Sequence, residues 1–441
     1  MDNFKKVTAW LSEGMPLNAK LTHARRYVML LVWLLPVVGY IYKALINTLH
    51  LKRSGDEGFF LKELGRFQQD GMWTSFSDGI SHLHVLLVNF LSYFVGQPLL
   101  AGRILSLLLL PLGFLIGVWI IRNLRLSHAV EVLTLATLAY VLVFSQSGKM
   151  FYRFLSDPLM IVIALGSILY IQRYCTEYRI KYLISAAILA GMMFWVRSFA
   201  LLIFGGMFAF FLYLFIFHKP RVKHFSAMLL FITIASSTAL IVQIPSIHNK
   251  GRISFEDKSG DGDWNERNWI TRIDRKSNGG VFSYLRVTWD RVEQFKQEYG
   301  EHSIPRSLSE RFARDPKFMV DSFVSNMVVR IPYVLLISIG FYFLLLLDLI
   351  RRPKWLFWDL QSSFKLLLLS VFVSVSLGLS LIIVNYIEHR WLFAAVFCAL
   401  ILSSMHLDRS VMRRYRKYLI GSQWIFLLLT GAAELIGLII I

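Results

Sequence analysis

The sequence predicts an all-α polytopic membrane protein of about eleven transmembrane helices, and three observations predict it. Hydrophobic residues fill 56% of the 441 positions and charged residues only 17%, where a soluble domain carries roughly a quarter charged; the mean hydropathy is +0.55. The apolar residues come in blocks of roughly twenty, the length that crosses a hydrocarbon core of about 30 Å as a helix. Finally, the basic residues fall in alternate connections between those blocks, as topology requires. Runs such as Ala227 to Val242 do not alternate as barrel strands would. A helix satisfies its own backbone, so helices are the spanning elements.

Taken in order, Met1 to Gly14 reads as a short interfacial helix, with Phe4, Val7, Trp10 and Leu11 on one face and Lys5 and Lys6 on another. The first span covers 27–48. An outer loop over 50–98 follows, with amphipathic helical patterns at 59–67 and 82–94. Further spans are expected at 100–121, 129–144, 158–171, 182–196, 199–217 and 226–244. A second polar segment, 246–330, mixes both signs of charge, as a folded or docked loop would. The last four spans fall at 331–350, 364–384, 391–405 and 419–438. The chain thus divides into a membrane core over 1–247, an outer loop over 248–330 and C-terminal helices over 331–441. No internal repeat or low-complexity segment interrupts it.

Orientation follows from the basic residues. Lys5, Lys6, Arg25 and Arg26; Arg122 and Arg125; Arg173, Arg179 and Lys181; Lys219, Arg221 and Lys223; Arg351, Arg352 and Lys354; and Arg409, Arg413, Arg414, Arg416 and Lys417 all fall on one side. That side is expected to be cytoplasmic, with the N-terminus inside and both long polar segments outside. The same distribution accounts for the net charge of +19 and argues against nucleic acid as a partner. Cys175 and Cys398, both in or beside apolar spans, make neither a disulfide framework nor a zinc site. The first apolar run continues as a full span rather than a cleavable signal. The sequence contains no Asn-x-Ser/Thr sequon, which leans towards a bacterial cytoplasmic membrane.

Ionisable groups at span ends are costly and mark functional positions. On this topology they gather in one outer layer: Asp56 and Glu57 after the first span, Arg103 at the start of the second, Lys149, Arg153 and Asp157 in the turn before the fourth, Arg197 after the fifth, and Glu388, His389 and Arg390 before the tenth. Interfacial arginines alone would be explained by snorkelling. Acids do little for orientation, so adjacent Asp56 and Glu57 need another reason. Arginines that hold phosphate and carboxylates that stay ionised beside them suit an amphiphile with an anionic head at the interface and its tail in lipid.

The residues also resemble a known family. Gly55-Asp56-Glu57-Gly58-Phe59-Phe60 resembles the Asp-Glu signature of the GT-C class of membrane glycosyltransferases, which includes the protein O-mannosyltransferases and the lipid A aminoarabinose transferase. Phe94-Val95-Gly96 with Ala101-Gly102-Arg103-Ile104-Leu105-Ser106 is similar to its Phe-x-Gly and Ala-x-Arg-Leu-x-Ser elements. Ser156-Asp157-Pro158, Ala190-Gly191 through Trp195-Val196-Arg197, and His389-Arg390-Trp391 follow in the family's order. The resemblance implies a GT-C-like fold and transfer of a sugar from a polyprenyl-phosphate donor to a lipid, glycan or protein acceptor at the periplasmic face, with inversion. It implies Asp56 as base or orienting group, with Glu57 and Asp157 supporting the acceptor or a divalent cation (magnesium or manganese, on Asp56 and Asp157). Arg103, Arg153, Arg197 and Arg390 would hold the donor phosphate, and Glu388 would be auxiliary.

The sequence departs from that pattern in the first outer loop, where Ile80-Ser81-His82-Leu83-His84 replaces a His/Lys-Pro-Pro element; His82 and His84 are the substitutes to consider for acceptor contacts. Asp261-Gly262-Asp263 is expected to be a polar turn, and Glu434 to snorkel at the end of the last span. Two other functions remain open: a carrier or flippase for a lipid-linked solute, and a polymerase or ligase of envelope polysaccharide. The first outer acids favour the transferase.

Overall fold

The computed structural model describes residues 19–49, 56–254, 264–278, 287–305, 307–351, 362–383, 387–408 and 413–440. Among them every regular element is helical. The expected interfacial helix over residues 1–14, residue Gly55, and the Asp261-Gly262-Asp263 turn lie outside the described residues.

Eight helices among the described residues are long and apolar enough to cross a bilayer: Pro98–Arg122, Asp157–Glu177, Ala200–Phe217, Arg221–Ile241, Pro316–Ile339, Ser363–Ile382, His389–Asp408 and Arg416–Ile436. The remaining expected spans at 27–48, 129–144 and 182–196 correspond to helices Ala19–Leu49, His128–Val143 and Ile180–Met193, the last ending three residues earlier than expected. The last two, of 16 and 14 residues, are shorter than a full crossing. Large apolar side chains such as Leu108, Leu115, Trp119, Leu201, Phe217 and Leu229 point outward, which a soluble protein avoids and a lipid-facing surface requires. The molecule is a polytopic helical membrane protein.

Burial orders the bundle. The window within His389–Asp408 is 89% buried and that within Asp157–Glu177 is 78% buried, against 22% for Arg221–Ile241. The first two form the centre and the last faces outward. Small residues bring helices into contact: a Cβ on Gly206 would strike the backbone at Ser370 and Val371, and one on Gly191 would strike the Ala235 carbonyl oxygen and Thr238. Lipid offers no hydrophobic drive between helices, so such close approach carries the packing.

One expected span differs. The stretch 331–350 breaks at Gly340, where φ is +56°, into Ile331–Ile339 and Tyr342–Arg351. The ring of Phe426 fills the place a Cβ would take there. The long apolar helix instead begins at Pro316, inside the segment expected as loop. Pro316 suits the first helical turn, and Asp315 caps it by accepting the Phe318 N–H at 2.8 Å. Lys317 and Asp321 on the early turns mask this start in the sequence.

Both polar segments are folded. Residues 57–95 form helices Glu57–Ser77 and His82–Val95, as the amphipathic patterns predict. The second segment has its own small core of Trp269, Ile270, Val292, Ile304, Phe318 and Met319. Asn326 Nδ2 donates to the Ile383 carbonyl at 2.8 Å and Arg311 to the Ile382 carbonyl at 3.2 Å, fixing this segment at the end of Ser362–Ile382. The two segments mark the loop end of the bundle. The opposite, arginine-rich end is tied by Asp408, which accepts from Ser127 at 2.5 Å and from Arg416 at 3.1 Å.

Candidate functional site

The loop end gathers acids and guanidinium groups from distant parts of the chain. Asp56 stands at the start of Glu57–Ser77; its carbonyl accepts the Phe59 and Phe60 N–H groups at 3.0 and 3.3 Å, while its side chain makes no cap hydrogen bond. That side chain meets Arg390 instead, Nη2 to Oδ2 at 2.6 Å across 334 positions of sequence. Arg390 also contacts Glu388 through Nε at 2.6 Å and Asp157 through Nη1 at 3.5 Å. Arg197 donates to the same Asp157 oxygen at 2.9 Å, and its guanidinium lies over the Phe60 ring at 5.8 Å.

Five of the expected residues therefore converge: Asp56, Asp157, Arg197, Glu388 and Arg390. Within the cluster, Asp157 is 2% exposed and Asp56 is 34% exposed. Asp56 is the most exposed of the three carboxylates, ahead of Glu388 at 22%. Among these five, three carboxylates face two guanidiniums.

Glu57 and Arg103 do not join them. Arg103 Nε and Nη2 donate to the two Glu57 oxygens at 2.9 and 2.8 Å, with Glu57 fully buried and Arg103 3% exposed. Glu57 Oε1 also accepts the Phe154 N–H at 3.0 Å. Gly102 makes room for this, since a Cβ there would collide with the Phe154 ring. Glu57 thus ties Arg103 to the turn before Asp157. Adjacent acids part company here because one precedes the helix and the other opens it.

His82 and His84 are corrected as well. Both are buried, and burial pushes their pKa values down to about 4 and about 3. The His84 ring packs between Phe60 and Phe154 at 5.2 and 5.3 Å; His82 sits edge-on to Phe76 at 4.5 Å. Neither side chain reaches the surface. A histidine held neutral in the fold but protonated when unfolded confers stability that is complete above about pH 6.5 and declines as the pH falls towards 3. Between pH 7 and 5 the thermal midpoint is therefore expected to fall less steeply in His84→Gln than in the parent; parallel pH slopes would contradict this assignment.

Arg153 separates in a different way. A single-turn helix at Gly148–Tyr152 leads into residues 153–157, and a Cβ on Gly148 would meet the Val141 and Leu142 carbonyl oxygens. Asp157 joins the acid cluster and Phe154 packs against Phe60 and His84, while Lys149 and Arg153 line a cavity of about 730 Å³. Lys43, Tyr152, Tyr333 and Glu434 are among its other polar lining residues, and Ile46, Phe144, Ile337 and Phe426 among its apolar walls. Lys43 Nζ donates to the Val143 carbonyl at 2.7 Å and lies over the Tyr152 ring at 4.9 Å. Neither any protein-family model nor any curated protein matches the chain. The family likeness therefore rests on the quoted residues alone.

Lys43 was missed by the sequence reasoning, although a lone charge in the first apolar span is a signal. Glu434, expected to snorkel, faces the same cavity. The cavity's cations, Lys43, Lys149 and Arg153, outnumber its single carboxylate, Glu434. A basic chamber with apolar walls thus adjoins an acid cluster across one turn of chain; Lys149 is close enough to act electrostatically on His389, which precedes Arg390. No group of three His, Cys, Asp or Glu able to hold a metal occurs among the described residues. A divalent cation ligated by both Asp56 and Asp157 would have to displace Arg390 from between them.

Proposed function

We propose that the chain transfers a sugar from a polyprenyl-phosphate donor to an acceptor hydroxyl at the periplasmic face of a bacterial cytoplasmic membrane. The single observation that carries this proposal is the Arg390 guanidinium joining Asp56 to Asp157 beside a basic cavity with apolar walls. The acceptor oxygen attacks the anomeric carbon, the bond from that carbon to the phosphate oxygen breaks, and the hydroxyl proton passes to Asp56. Polyprenyl phosphate leaves as an anion, so fixed positive charge helps it more than an added proton would. Lys149 and Arg153 supply that charge, Arg390 and Asp157 hold Asp56 in place, and inversion is expected. The 248–330 segment is the natural place for acceptor contacts.

The test is the lipid profile of cells lacking the protein. One polyprenyl-phosphate sugar is expected to accumulate, with loss of one envelope glycan or glycosylated product; an unchanged profile overturns the proposal. With purified protein, the Lys149→Gln/Arg153→Gln variant is expected to raise KM for the donor by roughly tenfold or more, about 1.4 kcal/mol of ground-state binding, with a smaller change in kcat. An unchanged KM would remove the donor from this cavity.

A carrier for a lipid-linked sugar is the second reading, favoured by Lys43 and Glu434, two charged residues from membrane helices that line the same cavity. Vesicles containing donor separate the two: a carrier moves the donor across without acceptor, and the transferase consumes it only when acceptor is present.

A further inference from the structure

A second cavity lies at the arginine-rich end, away from the cluster just described, and nothing in sugar transfer uses it. Its volume is about 660 Å³, and Arg122, Arg125 and Arg173 line it together with Asn123, Gln172 and Glu177; its apolar wall includes Leu124, Phe364 and Met405. The arginines come from two helices, Pro98–Arg122 with its following turn and Asp157–Glu177, and Phe364 from a third, Ser362–Ile382.

The frame beneath these arginines is fixed. Gln172, 3% exposed, donates from Nε2 to the Ile120 carbonyl at 3.1 Å and accepts from Asn123 Nδ2 at 3.2 Å. It thereby fastens the end of one helix to the flank of the other. Arg125 takes a left-handed backbone, φ +52°, which turns the chain sharply just beyond the helix end. Arg173 stacks over the Tyr182 ring at 5.7 Å.

The nearby acids are weak competitors. Glu177 is the one carboxylate in the lining, and it already pairs with Arg179 at 3.4 Å and accepts from the Tyr182 hydroxyl at 3.2 Å. Glu131 approaches Arg122 only at 3.8 Å, with the Arg122 side chain 68% exposed; such a pair is readily exchanged. Three guanidiniums against one carboxylate leave an excess of two positive charges around a void with an apolar wall. Topology alone asks for cations at this end. It does not ask that arginines of two helices border one headgroup-sized chamber, locked by a buried glutamine.

We propose that this cavity binds the phosphate of an anionic phospholipid from the adjoining leaflet, its headgroup on Arg122, Arg125 and Arg173 and its acyl chains against the neighbouring apolar helix surface. Guanidiniums take phosphate bidentately, and basic pockets between membrane helices suit headgroups carrying more than one phosphate. The bound lipid would brace three helices at the end opposite the acid cluster. This inference is independent of the sugar-transfer proposal.

The experiment uses purified full-length protein in neutral detergent, with cardiolipin, phosphatidylcholine or inorganic phosphate added separately. Native mass spectrometry is expected to show one retained cardiolipin per chain and little phosphatidylcholine, and cardiolipin is expected to raise the melting temperature. The Arg122→Gln/Arg125→Gln/Arg173→Gln variant is expected to lose roughly tenfold or more in cardiolipin retention. Thr176→Trp, which fills the cavity and keeps every charge, is expected to do the same, so loss of binding does not rest on one variant that could misfold. Equal stabilisation by inorganic phosphate would make this a free-phosphate site and overturn the lipid assignment. Retention unchanged in a folded variant of either kind, or equal for both lipids, would overturn the site.

Discussion

Replacing Asp56 with asparagine is expected to lower sugar transfer by roughly 10²–10⁴-fold, the usual contribution of a positioned general base. Asparagine has nearly the same shape and can still accept from Arg390, which now contacts Asp56 at 2.6 Å, but it cannot take a proton. Donor affinity should persist, because Lys149 and Arg153 belong to the neighbouring cavity. Cells carrying Asp56→Asn should therefore accumulate the same lipid-linked sugar as cells lacking the protein, with the variant present in the membrane at parental levels. Glu388, 22% exposed and paired to the same arginine, is the internal control: Glu388→Gln keeps Asp56 and is expected to lose less. Turnover unchanged in Asp56→Asn would eliminate it as the base.

The second large effect is on stability. Arg103→Met is expected to cost about 3–5 kcal/mol, because removing one partner strands a buried charge. Glu57 is fully buried and held by two hydrogen bonds from Arg103. The double variant Arg103→Met/Glu57→Gln is expected to recover much of that loss, since no uncompensated charge remains. Thermal unfolding in detergent reads both. A single variant as stable as the parent would show that this pair is dispensable. The damage should also reach function, because Glu57 holds the Phe154 N–H at 3.0 Å, just ahead of Asp157.

The layer in which the site lies was legible in the sequence; the pairing within it was not. Alternating basic connections put Asp56, Asp157, Arg197, Glu388 and Arg390 on one side, and the structure brings those five together. Which acid works and which supports depends on where the helix begins. Asp56 precedes the first turn and Glu57 opens it, a rotation of roughly 100° per residue that no composition reveals. Arg153 and Asp157 are likewise neighbours that part beyond the turn at 148–152, one lining the cavity and the other joining the acid cluster. The histidines at 82 and 84 read as candidate acceptor contacts in the outer loop, yet Phe60 and Phe76 of Glu57–Ser77 and Phe154 from the turn before Asp157 pack against them. Lys43 was hidden by its surroundings, a single cation in an otherwise apolar span whose partner is a backbone carbonyl 100 positions away. The helix starting at Pro316 was concealed by charges on its first turns.

A double-mutant cycle in thermal or denaturant stability over the parent, Asp56→Asn, Arg390→Gln and the double variant tests the convergence of these remote segments. The contact predicts that the two substitutions are non-additive by on the order of 1 kcal/mol, the range found for residues sharing a network. Additivity within about 0.3 kcal/mol, as for residues that do not meet, would contradict the geometry from which the catalytic role of Asp56 is drawn.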